Sequence, residues 1–390
     1  MLGPYNEAPN CLWRGAPRGA RLVVYLAVPA ILAGIYHLIA FFAAMRRVRA
    51  SSRQKPGFQP GVSILKAVHG RDRDFYEAIR SHALLDYPNY EILFGLNDPE
   101  DAARADIARL TAEFPERAIR LIECPRNMPN AKVATLAELA RAARYPVLVI
   151  NDSDIVVEKD YLRTVVAPLE GAKAGLVTCL YRASGGSWAA RWEALGIATD
   201  FAPSVLVARA IGIAEFALGS TMALRASDLA RIGGFAAIGD YLADDYQLGR
   251  RITELGGRIV LAPAVVETRL SDDSWGAVWR HQVRWSRTIR VSRTAGYFGY
   301  AITNVSVWAL VAAAAGVWPV AVAALAIRLV AGVLTGRFVL RDRDTARLWF
   351  LIPFRDLWGF AVWMGGLGGS TVEWRGIRLR LRRDGRIGRS

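Results

Sequence analysis

Cysteine is scarce in this chain. Cys11, Cys124 and Cys179 are scattered, odd in number and without a CxxC pair, which excludes a disulfide framework. Histidine is scarce too, and His37, His69, His82 and His281 are too dispersed for a His-rich metal site. Lysine is nearly absent: of 50 basic residues, only Lys55, Lys66, Lys132, Lys159 and Lys173 are not arginine. No Walker A motif occurs and no GxGxxG follows the first strand-like run, so neither a P-loop nor a dinucleotide fingerprint is supported. No repeat of fixed period is visible. Charge is thin, at 22% of 390 residues, while 53% are hydrophobic. An ordinary soluble enzyme is less apolar than this, so membrane segments come first.

The charge that is present sums to +15. It clusters beside apolar segments, at Arg46, Arg47, Arg49, Arg53 and Lys55 and again from Arg375 to Arg389. Positive-inside bias and anionic headgroups produce that layout. With no zinc-finger or RNP signature, nucleic acid is not expected as a partner.

An uncharged run, Leu22–Ala44, is long enough to span a bilayer and too long for a signal-peptide core, which gives a transmembrane helix over 22–45 after a short N-terminal segment, 1–21. The basic residues after it outweigh Arg14, Arg18 and Arg21, so the chain beyond should face the cytoplasm. Residues 300–335 read as an apolar hairpin bent at Gly316, Trp318 and Pro319, with Arg328 either snorkelling or facing the bundle. Residues 348–368 are apolar but broken by Pro353, Arg355 and Asp356; they either cross or re-enter. A basic tail, 370–390, follows.

Between these lies a soluble-looking region, 60–270. Strand-like runs at Val62–Val68, Ile92–Leu96, Ile119–Cys124, Val147–Ile150, Gly175–Tyr181 and Thr221–Leu224 alternate with helical stretches. That alternation predicts an α/β domain with a mostly parallel sheet covered on both faces. Ligands on such sheets bind at the carboxyl ends of the strands.

Three acidic features stand at such ends or near helix starts. Asp152 and Asp154, in Asn151-Asp152-Ser153-Asp154, follow an apolar strand. Carboxylates at i and i+2 can share Mg²⁺ or Mn²⁺ with a diphosphate; the plain alternative is a solvated turn. Asp98 closes another strand, and Asp244-Asp245 opens a helical stretch. One of that pair is explained as a first-turn acid, and the other is left to serve as a general base. In the segment 271–295, Trp275, Val278, Trp279, Trp285 and Ile289 fall on one arc of about 120°, with Arg280, Arg284 and Arg287 opposite. Such a helix suits the bilayer interface, and its arginines suit a diphosphate. Val205–Leu218, apolar but too short to span, is a candidate lipid entrance or a buried core helix.

Taken in order, these residues resemble the membrane-bound, family 2-type glycosyltransferases of GT-A fold, most closely the ceramide glucosyltransferase family. Asp98, Asp152 with Asp154, Asp245 and Arg284-Trp285 match its three aspartates and its (Q/R)xxRW motif. Asn130-Ala131-Lys132-Val133, Gly219-Ser220-Thr221 and Glu373-Trp374-Arg375-Gly376 match as well. Gly175–Arg182 and Leu242–Tyr246 are similar to the bacterial hopanoid-biosynthesis glycosyltransferases. Two positions depart from the pattern. His281 stands where the motif has Gln or Arg, and Asp154 replaces a Gly of the animal enzymes.

The resemblance implies a GT-A nucleotide-sugar domain flanked by N- and C-terminal membrane helices in an integral membrane protein, with a bacterial inner-membrane location. It implies an inverting transfer of glucose or N-acetylglucosamine from a UDP-sugar to a membrane lipid hydroxyl of ceramide or hopanoid type. Asp245 and Arg284 would be catalytic. Asp98, Asp152, Lys132, Arg284 and Trp285 would hold the donor, and Asp152 and Asp154 a divalent cation, Mg²⁺ or Mn²⁺. Trp275, Trp279, His281 and Asp244 would lie on the acceptor and lipid side. A processive polysaccharide synthase and a non-catalytic membrane scaffold are the alternatives.

Overall fold

A computed structural model describes residues 18–49, 57–271, 274–374 and 377–389. Most of the N-terminal segment, the basic residues Arg53 and Lys55, and Arg375-Gly376 of the C-terminal motif lie outside the described residues.

The α/β region is built on one eight-stranded sheet: β1 (Val62–Val68), β2 (Tyr90–Leu96), β3 (Ala118–Glu123), β4 (Val147–Ile150), β5 (Ile155–Val156), β6 (Ala174–Ser184), β7 (Met222–Arg225) and β8 (Arg258–Arg269). Their spatial order is β3-β2-β1-β4-β7-β6-β8-β5. β1 pairs in parallel with β2 and β4, as do β2 with β3 and β6 with β8; β7 runs antiparallel between β4 and β6. Helices Phe75–Ala83, Ala103–Glu113 and Ala131–Ala142 make the crossovers among the first four strands. Successive side chains of a strand point to opposite faces. Val62, Ile64, Val147 and Val149 therefore enter one core, while Leu65, Leu148 and Ile150 enter the other. Burial on both faces is why these strands read as continuous apolar runs.

One long strand escapes the sequence reading. β8 carries Pro263, which cannot donate to a ladder. Pairing with β6 slips between Thr178/Leu261 and Leu180/Val265, and Pro263 sits in that slip. The irregularity absorbs the missing donor.

Helix Arg18–Arg49 is apolar and long, and Val23–Arg49 and Trp318–Val339 are each long and apolar enough to cross a membrane. The expected first hairpin arm is instead a bent pair, Thr294–Thr303 and Val305–Ala314, at 53°. Small residues let these helices approach closely: Ala30 and Ala33 pack with Ala309, Ala312, Ala321 and Ala324. Arg328 faces the bundle, fully buried, with ion pairs to Asp200 (2.6 Å) and Asp356 (2.7 Å). Helix Ala202–Ala210 overlaps the first part of the stretch Val205–Leu218; there Val205, Leu206 and Val207 are buried, and Val207 packs with Ala40 of the N-terminal helix.

The apolar stretch 348–368 forms helix Ile352–Leu367, which lies along helix Trp275–Ser292. The basic tail is folded. β9 (Thr371–Trp374), β10 (Ile377–Leu381) and β11 (Ile387–Arg389) form an antiparallel sheet. Its Val372, Leu379, Leu381 and Ile387 pack with Leu242, and the Ile387 amide donates to the Asp240 carbonyl at 2.7 Å. The C-terminus is thus seated on the loop just before Asp244.

Candidate active site

Strand β4 ends at Ile150, and Asn151 turns the chain away. The buried Asn151 amide nitrogen donates to the Ser220 carbonyl (2.8 Å) and to Thr221 Oγ1 (3.2 Å). That fixes the Asp152–Asp154 loop against Gly219-Ser220-Thr221. Gly219 in turn donates its amide to Asp245 Oδ2 at 3.0 Å. A β-carbon on Gly219 would lie 3.5 Å from Asp152 Oδ2, 3.5 Å from Asp245 Oδ2 and 3.8 Å from Lys132 Nζ. Three side chains far apart in sequence thus face one atom position.

Lys132 joins the acids. Asn130 caps helix Ala131–Ala142, accepting from the Val133 amide while donating to the Tyr241 carbonyl at 2.8 Å. The cap presents Lys132, whose Nζ lies 2.8 Å from Asp152 and 3.1 Å from Asp244. Burial disfavours its charge, but Asp152 and Asp244 outweigh burial and raise its pKa above the ordinary value. Asp244 was expected on the acceptor side. Its ion pair with Lys132 makes it a member of the same charged cluster as Asp152.

Lys66, which sequence reasoning passed over, completes the group. It lies in β1, fully buried, and its Nζ donates to the Asp152 carbonyl at 3.1 Å. Burial pulls its pKa down to about 7, against Asp154 and Asp152, which raise it. A lone lysine inside a β-branched run was the available signal. Asp154 accepts from the Thr268 hydroxyl, and burial with Asp152 nearby raises its pKa. Burial also lifts Asp245 to about 6; Asp244 adds to the rise and Lys132 opposes it.

Four carboxylates (Asp152, Asp154, Asp244, Asp245) thus share their surroundings with two ammonium groups. Fully ionised, the cluster is two positive charges short, the deficit a divalent cation supplies. Among the described residues no three acid, His or Cys side chains form a closed metal cage. Mg²⁺ and Mn²⁺ do not need one, because one or two carboxylates suffice when phosphate oxygens and water complete the sphere. Asp152, with 43% of its side chain exposed, is open for that role.

Asp98 stands two residues beyond β2, as Asp152 does beyond β4, on the same carboxyl edge of the parallel strands. β1 lies between them. Asp98 is exposed, and its Oδ1 accepts from the Glu100 amide.

Helix Trp275–Ser292 starts at Ser274, whose hydroxyl caps the Ala277 amide. Its aromatic residues divide between two clusters. Trp275 and Trp279 pack on Trp358 at 6.1 and 5.3 Å, with Trp192 beside Trp275. Trp285 instead meets His281 (4.5 Å) and Phe201 (6.4 Å). The aromatic residues of this helix therefore do not form one continuous cluster. His281 Nδ1 lies 2.7 Å from Glu193 Oε1, a buried acid that the sequence did not single out. Arg284 is half-buried three residues on. Arg287 and Arg290 hold backbone carbonyls between Leu367 and Thr371. Tyr181 on β6 links the halves. Its ring is 5.2 Å from Phe201, and burial, then Glu193, Asp245, Asp152 and Asp154, raises its pKa.

The sequence model of glycosyl transferase family 21 matches residues 22–387. Ceramide glucosyltransferase 1 of Caenorhabditis elegans is 29% identical over 231 residues, covering 58% of this chain and 49% of the relative. The probable glycosyltransferase YdaM of Bacillus subtilis is 23% identical over 280 residues, covering 65% and 62%. The chain spans about half the length of the curated ceramide glucosyltransferases it matches first. Among solved structures, the mannosyltransferase PcManGT of Pyrobaculum calidifontis, in complex with GDP-Man and Mn²⁺, superimposes with a TM-score of 0.57 at 20% identity, covering 88% of this chain and 99% of that one. The likeness establishes the GT-A fold.

Proposed function

This chain belongs to glycosyl transferase family 21, and we propose that it transfers a sugar, glucose or N-acetylglucosamine, from a UDP-sugar to the hydroxyl of a membrane lipid. The supporting observation is the meeting of Asp152, Asp245 and Lys132 at Gly219. Asp152 and Asp154 would hold a divalent cation, Mg²⁺ or Mn²⁺, beside the donor diphosphate. Such a cation would supply positive charge against the diphosphate of the leaving group. Lys132 and Arg284 add donors for that charge, the kind of pre-set electrostatic help that dominates many such reactions. Asp98, farther along the sheet edge, takes the nucleoside side.

Asp245 accepts the proton of the acceptor hydroxyl as that oxygen attacks the anomeric carbon from the face opposite the diphosphate. The C–O bond to UDP breaks in the same displacement, so configuration inverts and a β-glycoside results. A carboxylate at about 6 is ionised near neutral pH yet basic enough to take the proton.

The acceptor approaches by way of His281, Trp285 and Tyr181, on the side where helix Trp275–Ser292 meets helix Ile352–Leu367. The catalytic domain is cytoplasmic, and 348–368 runs along the interface. That course is supported by Arg287 reaching the Gly368 carbonyl and by the tail seated at Asp240. A ceramide, a hopanoid polyol or another lipid alcohol meets the chemical requirement.

Mass spectrometry of lipids from cells with wild-type protein, with Asp245→Asn and with no protein tests the reading. A β-glycolipid that appears only with wild type is expected. Identical lipid profiles in all three would overturn it, and a polymeric product would indicate a processive synthase instead.

A further inference from the structure

A second charged cleft lies apart from the acids. It has a volume of about 430 Å³ and opens between the end of β6 and residues 341–348. Arg182, Arg191, Arg341, Arg343 and Arg347 line it, against Asp342 and Asp344. Arg182 is paired with Glu267 (2.8 Å) and Arg347 with Asp344 (3.1 Å). Among the described residues no carboxylate pairs with Arg191, Arg341 or Arg343. Asp342 is engaged elsewhere, accepting from the Asp344 and Thr345 amides and the Thr345 hydroxyl. Arg341 has φ 58°, left-handed backbone that no other described non-glycine residue adopts. Such a conformation is unfavourable for arginine and persists where its surroundings hold it.

The cleft's position adds the second half. The apolar span Trp318–Val339 ends just before Arg341. Beyond the cleft, Trp349 and Phe350 are half exposed, and Phe338 before it is exposed as well. Arginines beside exposed aromatics mark the level where headgroup meets acyl chain. A free anion would use only the arginines; a phospholipid uses both surfaces. We propose that this cleft binds the phosphate of an anionic phospholipid headgroup, with Arg191, Arg341 and Arg343 as its donors.

The full chain in neutral detergent, titrated separately with short-chain phosphatidylglycerol, phosphatidylcholine and inorganic phosphate, tests this through the shift in unfolding temperature. Phosphatidylglycerol should bind about thirtyfold more tightly to wild type than to Arg341→Gln/Arg343→Gln, as expected for two arginines near a headgroup. Arg191→Gln should weaken it in the same direction. The control Arg46→Gln/Arg49→Gln removes equal charge from another membrane-edge helix and should leave affinity unchanged. Equal loss in the control would mean diffuse charge and overturn the site. An equal shift with phosphatidylcholine, or with inorganic phosphate alone, would overturn the assignment to an anionic lipid.

Discussion

Among the buried charged groups of the described residues, two are balanced differently. Within the apolar helices, Arg328 and Arg355 meet Asp200 and Asp356, two against two. Side-chain exposure there runs from 1% to 13%, and Asp356 also accepts from the Ser306 amide and hydroxyl. At the carboxyl edge of the sheet, four carboxylates meet two lysines and Asp152 remains open. The first group is neutral and sealed; it fastens the Asp200 turn to two apolar helices. The second is short of positive charge and accessible, so it has capacity left for a ligand. Acidic residues alone do not mark a reactive site; surplus charge with an open side chain does.

Breaking each group should give opposite phenotypes. Asp245→Asn removes the proposed base and should lower transfer about a thousandfold, the scale of general-base catalysis, while UDP-sugar binding by calorimetry persists. Normal turnover would show that the base lies elsewhere. Arg328→Met leaves Asp200 and Asp356 without their shared partner in a dry site. It should cost about 3–5 kcal/mol, read as a lower unfolding temperature, with the donor KM of the folded fraction unchanged. Adding Asp356→Leu should restore much of that loss, because charge balance returns. A chemical defect in Arg328→Met without destabilisation would erase the contrast between the groups.

Smaller effects sharpen the contrast. Chelation, or Asp152→Ala, should weaken donor binding about tenfold or more, and added Mn²⁺ should rescue wild type but not the variant. The pH profile should follow Asp245, whose ionised form is the active one. Because its pKa is raised to about 6, kcat/KM should hold above that value and fall about tenfold per pH unit below it. Lys132 lowers that pKa, so Lys132→Met should move the break upward. A profile flat to pH 5 would remove Asp245 from the proton transfer.

Much of the fold is legible in the residues themselves. Val62–Val68 and Val147–Ile150 appear with the expected bounds because strands buried on both faces must be apolar throughout. Asp152 and Asp98 follow strand ends, where turn-forming acids are visible. β8 was hidden because Pro263 argues against a strand unless a slip in its pairing is known. The sequence marks 370–390 only as basic, because its arginines mask the alternation of Val372, Leu379 and Leu381 and because its partner, Leu242, is distant in sequence.

The sequence by itself determined the α/β order, the apolar spans and which acids could do chemistry, since propensity and periodicity act over a few neighbouring residues. Only the tertiary structure decided that Asp244 belongs with Lys132, that Lys66 lies beneath Asp152 and that Glu193 holds His281. It also decided which charged group is balanced and which is not. Electrostatic energy depends on separation and burial in space, and folding sets both by packing segments whose spacing along the chain carries no record of where they meet.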